Sequence, residues 1–559
     1  MARQSTTPVQ FQRSTRKDTA VLMTSARAGV VVPVGFVPLL PGDSAAGRLA
    51  VDVQLKEMPK PLLNAVHANV QAWFVPKSAH PRYASKEELL HAFAGENIKQ
   101  LGQADRVPAP LFSEVNGTRL DTVKTSEVFT TLGLHVPSGG VINDDLIDAF
   151  VLTYNFRLSA HSSKLARRRY LVENVPEATS LPPAFWPSSR LSRVVADYER
   201  ALLLGSLDLD VQAGRLPISG IARITTATAS NVGNRPDTAE LKGNDRKNVT
   251  YAGSVNLGAD GGALAMRMAQ AGGAGPYLPQ IYAEMGGETV NISLADIDKA
   301  RTTQAFAKMR TAYAGMNYSG YENDDAMVSL LMQGLDVPSD AFARPWLLDS
   351  QRVPVGFAER YATDAANLDQ SVTVGRASAT LSLNVPRQDV GGVIVFTVEV
   401  LPERVDERMA DEWLLATNRD HLPNALRDIQ RVEPVDLVKN RRVDAKHATP
   451  NGLYGYEPMN DKWNRDFTRL GGDFYMATPG GGWTENRSNI WQTEIVNPTF
   501  SATHYLAPQP FPHDVFADQN ADAFEVVARH TLAITGLTQI GDVLVEDTDD
   551  FEAVQAVAE

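Results

Sequence analysis

The chain has 559 residues, 43% hydrophobic and 21% charged, with a formal net charge of −13 and no cysteine. Its 40 glycines and 33 prolines are ordinary usage, which excludes a disordered chain, a collagen and a coiled coil. Without cysteine there is no disulfide, thiolate metal site or Cys nucleophile, so stability must come from packing or association.

Charge is uneven along the chain. Residues 1–17 hold Arg3, Arg13, Arg16 and Lys17 and no acid, so 1–18 reads as a basic N-terminal arm. No apolar stretch follows it, as a signal peptide would require. The longest uncharged apolar run, 28–42, is broken by Pro33, Pro38 and Pro41, too short and too interrupted for a membrane span. A soluble protein is expected. At the other end, 541–559 carries seven carboxylates and no base and reads as an acidic tail.

Between these ends the chain gives short extended runs punctuated by proline. Residues 30–37 and 70–75 are β-branched and aromatic, each run followed by proline, and predict strands. Ser85 with Glu88 forms a capping box ahead of Leu89, Leu90 and Phe93 and predicts a helix. A second helix is predicted over 144–157, where Asp144 and Asp145 suit a helix N-terminus. Residues 226–287 are rich in Gly, Ala and Asn without amphipathic period, which predicts an inserted surface or inter-subunit loop. Ser293 with Asp296 opens another predicted helix through Ile297, Phe306, Met309 and Tyr313. In 393–400 the even positions are apolar while the odd ones include Thr397 and Glu399, predicting a strand with one buried face. Strand runs with occasional helices and no alternating βαβ pattern predict a mainly β fold, a sandwich or jelly roll with long loops. With no internal repeat and no clear linker, one domain over 19–540 is expected.

No catalytic constellation emerges. The ten histidines never fall at short metal-ligand spacing, and neither a P-loop nor a GxSxG elbow is present. Gly258, Gly261 and Gly262 lack a βαβ context and read as a turn. The expectation is therefore a non-enzyme with no catalytic, cofactor or metal residues. Two basic clusters remain. Lys164, Arg167, Arg168 and Arg169, followed by Tyr170, suit phosphate contacts beside a stacking ring, and equally suit pairing with carboxylates of a neighbouring chain. For Lys439, Arg441, Arg442 and Lys446 the pairing is favoured.

Several segments resemble a known family in chain order. Arg13-Ser14-Thr15 leads to Leu40-Pro41-Gly42-Asp43, then Pro59 and Pro61-Leu62-Leu63, then Trp73-Phe74-Val75-Pro76-Lys77. Tyr154-Asn155-Phe156-Arg157 follows, then Tyr282-Ala283-Glu284 ahead of 292–306, Arg344-Pro345-Trp346-Leu347, and Gly455-Tyr456-Glu457-Pro458 shortly before Trp463. Over roughly 13–475 this series resembles the major capsid proteins of microviruses (Microviridae), small tailless single-stranded DNA phages, particularly the gokushovirus-like branch.

The resemblance implies an eight-stranded viral jelly roll with expanded loops. It also implies about sixty copies in a T=1 icosahedral shell around a circular single-stranded DNA genome. The virion is the implied location, after assembly in the bacterial cytoplasm. Implied partners are other copies of the chain, packaged DNA, a small basic packaging protein, scaffolding and pilot proteins, and a host receptor. An insertion of the 226–287 kind would protrude near the threefold axes. An acidic shell repels phosphates unless bases face inward. Arg3, Arg13, Arg16 and Lys17 are therefore the first expected nucleic-acid-facing residues, with Arg167, Arg168 and Arg169 second. The competing expectation is a carbohydrate-active β-sandwich enzyme or receptor-binding spike, suggested by the strand pattern and by exposed-looking Trp483 and Trp491.

Overall fold

The computed structural model describes residues 11–83, 85–99, 105–137, 140–162, 165–197, 344–361, 371–423, 435–475, 487–491 and 496–541, together with the backbone of six short strands between 215 and 284. The first four strands are β1 (Ser14–Ala26), β2 (Val31–Leu39), β3 (Ser44–Leu55) and β4 (Val66–Pro76). Next come α1 (Lys86–Ala94), β5 (Glu114–Val115), α2 (Gly117–Lys124), α3 (Glu127–Leu132), β6 (Ile142–Asn143), α4 (Asp145–His161) and α5 (Val175–Thr179). Short strands β7 (Arg215–Pro217), β8 (Arg223–Thr225), β9 (Leu241–Lys242), β10 (Asn248–Val249), β11 (Ala263–Ala265) and β12 (Tyr282–Glu284) lie between these and β13 (Trp346–Pro354). The chain ends through β14 (Gly356–Tyr361), β15 (Ser371–Val385), β16 (Gly392–Pro402), β17 (Val435–Lys439), β18 (Leu453–Pro458) and β19 (Phe524–Gly536).

The fold is mainly β and its strand pairs are antiparallel. One sheet has the order β1-β19-β3-β15-β14 and a second β13-β4-β16-β2. Period-two alternation builds the first sheet. In β19, Phe524, Val526, Ala528, Leu532 and Ile534 point inward while Glu525, Arg529, Thr531 and Ala533 are exposed. The inward residues of both sheets share one core, with Leu49, Val51, Val53, Leu381 and Leu383 from the first and Val32, Val70, Phe74, Ile394 and Phe396 from the second. Burying one face of each sheet against the other is what lets strands of this pattern persist in water.

The second sheet is covered on its far side as well. Phe150, Tyr154 and Leu158 of α4 join the core cluster, and Phe156 packs edge-on to Trp73 of β4 at 5.7 Å. The expectation of one buried face for 393–400 is thereby corrected: Val395, Thr397, Glu399 and Leu401 of β16 are as buried as Ile394 and Phe396. Glu399 tolerates this position because Arg157 of α4 pairs with it.

Two helix expectations can be compared with α1 and α4. Ser85 accepts the Glu88 backbone N–H at the start of α1, and Gly95 closes it with a left-handed φ of 69°. Asp144 and Asp145 sit at the start of α4, with Asp148 in its first turn. The helix expected after Ser293 lies outside the described residues.

The contacts divide the chain into two compact units, Met1–Tyr198 with Arg310–Glu559, and Glu199–Met309. The expected insertion at 226–287 falls within the second unit. Apart from its short strands, that segment lies outside the described residues. Those strands pair β7 with β12, β8 with β11 and β9 with β10, so the chain goes out and returns along itself. The expected basic arm ends inside the first sheet, because β1 begins at Ser14; residues 1–10 lie outside the described residues, as does the acidic tail from 542 onward.

Candidate functional site

The expected nucleic-acid-facing residues fall into different environments. Arg3 lies outside the described residues. Arg13 donates to the carbonyls of Gly42 at 2.6 Å and Thr535 at 2.7 Å, tying the start of β1 to the 40–43 turn and the end of β19. Arg16 faces inward and pairs with Asp43 at 2.7 Å. Asp43 is fully buried and also accepts the Leu40 N–H at 3.0 Å, so Arg16 is committed to neutralising it. Lys17, the next residue on the strand, is exposed on the opposite face.

The second group is likewise divided. Arg168 donates Nη2 to the Ser180 carbonyl and hydroxyl, both at 2.8 Å, and to the Glu177 carbonyl, and burial lowers its pKa. Arg169 pairs with Glu177 at 2.8 Å. Arg167 is exposed; Lys164 lies outside the described residues. Tyr170 is not an open stacking ring: burial pushes its hydroxyl up to about 12, and its ring lies 5.3 Å from that of His80. Within this chain Arg169 thus pairs with a carboxylate, while the Arg168 guanidinium is held by carbonyl and hydroxyl oxygens. Arg442 likewise pairs inside the chain, with Glu412 and with Glu457 at 2.8 Å.

Sequence spacing missed a cluster of His80, Asp144 and Asp148, whose ligand-type atoms all lie within 4.8 Å of one another. The chain leaving β4 brings His80 against the first turn of α4, a contact between residues 68 apart that no short motif encodes. His80 Nε2 lies 2.7 Å from Asp148, and its Nδ1 receives the Arg82 backbone N–H and Nε at 3.1 and 3.0 Å. With Nδ1 accepting, the proton sits on Nε2 and points at the carboxylate, leaving no ring lone pair toward the acids. The Arg82 guanidinium is already among them, 2.7 Å from Asp144 and 3.8 Å from Asp148, and Lys77 reaches Asp145 at 2.5 Å. Although burial opposes it, Arg82 holds Asp144 below the usual carboxylate range, while burial raises Asp148. A cation would have to displace a guanidinium and reverse a histidine, so this donor set fits an ion-pair lock on α4 better than a metal site.

A cleft of about 420 Å³ is lined by Arg190, Arg404, Arg465, Glu403, Asp406 and Asp466, with Phe467 and neighbouring serines. Its cations are balanced from within. Arg404 bonds Asp406 at 3.0 Å, Arg190 bonds Glu457 at 2.9 Å, and Arg465 meets Asp461 at 3.4 Å. The cleft therefore offers little net charge to a ligand.

Trp491, read from sequence as exposed, is corrected. It is 1% accessible, sits edge-on to Phe511 and Phe516, and donates its indole N–H to the Pro512 carbonyl at 2.8 Å. A tryptophan whose polar atom has an internal acceptor buries readily. Trp483 lies outside the described residues. Among the described residues no helix is long and apolar enough to cross a membrane. No protein-family model and no curated protein matches the chain.

Proposed function

We propose that this protein is a jelly-roll shell protein of the microvirus major-capsid kind, which self-assembles into a closed icosahedral particle around single-stranded DNA. The order of its long strands carries this reading. With β14 set aside as an added edge strand, eight strands remain in two sheets, β1-β19-β3-β15 and β13-β4-β16-β2. Counted along the chain, first neighbours last, second neighbours seventh, third neighbours sixth and fourth neighbours fifth. Such nesting supports one long hairpin wrapped over itself, as in a jelly roll. The long excursions fall in two connections, between β4 and β13 and between β16 and β19, where a shell protein has room for contacts to its neighbours.

The surface adds support. Trp413 and Leu414, adjacent on the short helix Glu412–Leu415, are 68% and 80% accessible. Asp411 caps that helix through the Trp413 N–H at 2.8 Å, and Arg469 fixes Asp411 at 2.6 Å. An exposed Trp–Leu pair on a capped helix is a costly surface for a solitary chain and a suitable anchor for an assembling one.

Light scattering and negative-stain imaging of the purified full-length chain test the reading. Closed particles of several megadaltons are expected. A stable monomer or trimer that binds or cleaves glycans would replace it with the enzyme or spike reading.

A further inference from the structure

The five-stranded sheet has one face in the core, and on the other the outward residues of β1, β3 and β19, and of β15 from Arg376 onward, are exposed or half-buried. Serine, threonine and alanine make up about half of the outward residues of its four long strands, and Val21 and Met23 of β1 are exposed beside them. Four cations stand among them, Lys17 of β1, Arg48 of β3, Arg376 of β15 and Arg529 of β19, against two carboxylates, Asp52 and Glu525. The face is thus net positive on a chain of net charge −13.

Both carboxylates are already engaged. Asp52 accepts the Ser378 hydroxyl at 2.8 Å and lies 3.9 Å from Arg529, while Glu525 pairs with Lys56, which lies beyond the end of β3. Lys17, Arg48 and Arg376 have no carboxylate partner among the described residues. The strand register sets their layout: Lys17 is opposite Ala533, Arg48 opposite Thr531, and Arg376 opposite Gln54, which faces Glu525. With strands about 4.8 Å apart and same-face residues about 6.8 Å apart, the three form a diagonal track about 30 Å long.

From this layout we propose that the open face of the five-stranded sheet binds single-stranded nucleic acid through its phosphates. The inference rests on the shell reading above and assigns the genome-contacting surface within it. The chemistry is that of backbone contact. Guanidinium and ammonium groups meet phosphate oxygens, the short hydroxyl side chains between them can donate to the same oxygens, and side chains this short let a strand approach closely. No aromatic side chain stands on this face of the four strands, so bases are not stacked and binding is independent of sequence.

The test is a titration of the full-length chain with fluorescent oligothymidylate across salt concentrations. Three phosphate contacts on a single strand give binding that weakens about 20-fold between about 50 and about 200 mM salt. Changing Lys17, Arg48 and Arg376 together to Gln should weaken low-salt binding at least about tenfold and reduce the log–log salt slope by about two. The single variants Lys17→Gln and Arg48→Gln should each reduce that slope by about 0.7, which keeps the test decisive if the triple variant does not fold. Asp52→Asn should tighten binding. Unchanged affinity and slope in the variants would overturn the proposal, as would absence of binding by the unaltered chain at low salt. Displacement of the oligonucleotide by polyglutamate of equal charge would assign the face to an acidic protein segment instead. Light scattering on the same samples keeps the two readings apart: without particles the shell reading fails, while the titration of unassembled chains still decides the face.

Discussion

Glu399 of β16 and Arg157 of α4 form an ion pair across the covered side of the second sheet, with 3% and 9% of their respective surfaces accessible. Asn69 of β4 adds a weaker contact to the same carboxylate at 3.4 Å, and the Arg157 guanidinium lies 4.1 Å from the Phe185 ring centroid. Removing one member leaves an uncompensated charge in a dry interface. Glu399→Ala should therefore cost about 3 to 5 kcal/mol, and replacing both residues by apolar side chains of similar size should recover most of it. Urea unfolding of the single and double variants measures the difference; equal losses in both would mean that lost packing, not charge, dominates.

His504 gives the fold an acid-side weakness. Burial, with Arg404 nearby, pushes its pKa down to about 3 from 6.5. Burial raises the Tyr454 hydroxyl to about 12, and that hydroxyl lies 3.0 Å from His504 Nδ1. The phenol proton is thus the one shared, and the ring stays neutral. Below pH 6.5 the unfolded chain takes up a proton at this position that the folded chain refuses until about pH 3. Stability is therefore complete above 6.5 and falls as pH falls through that window, by about 3 kcal/mol at about pH 4. His504→Gln should flatten the slope of unfolding free energy against pH over this range, and an unchanged slope would remove His504 as its source.

Gly47 sets the spacing of β3 and β19. A Cβ at this position would lie 2.0 Å from the Thr531 carbonyl oxygen and 2.9 Å from the Leu532 Cα. Both are backbone atoms of the paired strand and cannot swing aside as a flexible side chain would. Gly47→Ala should destabilise the protein by more than about 2 kcal/mol, seen as a lowered thermal midpoint or loss of soluble protein. A melting curve matching the parent would show that the two strands can separate locally at little cost.

What the sequence reveals here is local. Ser85 and Glu88 mark α1 because the capping hydroxyl and the backbone N–H it accepts lie within one turn, and the apolar, β-branched and aromatic runs mark β2, β4 and β16 because local composition is a property of neighbouring residues. The burial of Glu399 is invisible at that range, since the helix covering it contributes Arg157 from 242 positions earlier. The same limit explains Trp491, enclosed by Phe511 and Phe516, and His80, which meets Asp148 across a connection. A basic residue type carries no sign of whether a carboxylate waits opposite. Arg16 and Arg168 therefore read as available cations, although Asp43 and the Glu177 and Ser180 carbonyls hold them.

Arg16 and Lys17 are adjacent in β1 and point to opposite faces, so the strand itself separates a stabilising role from a binding one. Arg16→Gln leaves the fully buried Asp43 without its counter-charge and should cost about 2 kcal/mol. It should not alter the salt slope of oligonucleotide binding, because its side chain faces the core side of the sheet. Lys17→Gln removes an exposed cation without a partner among the described residues and should change stability by less than about 0.5 kcal/mol, while lowering that slope by about 0.7. Thermal unfolding and oligothymidylate titration on the two variants give four measurements. Equal effects of the two substitutions in both assays would show that net charge, not the face a residue occupies, governs binding, and would remove the assignment of the open sheet face.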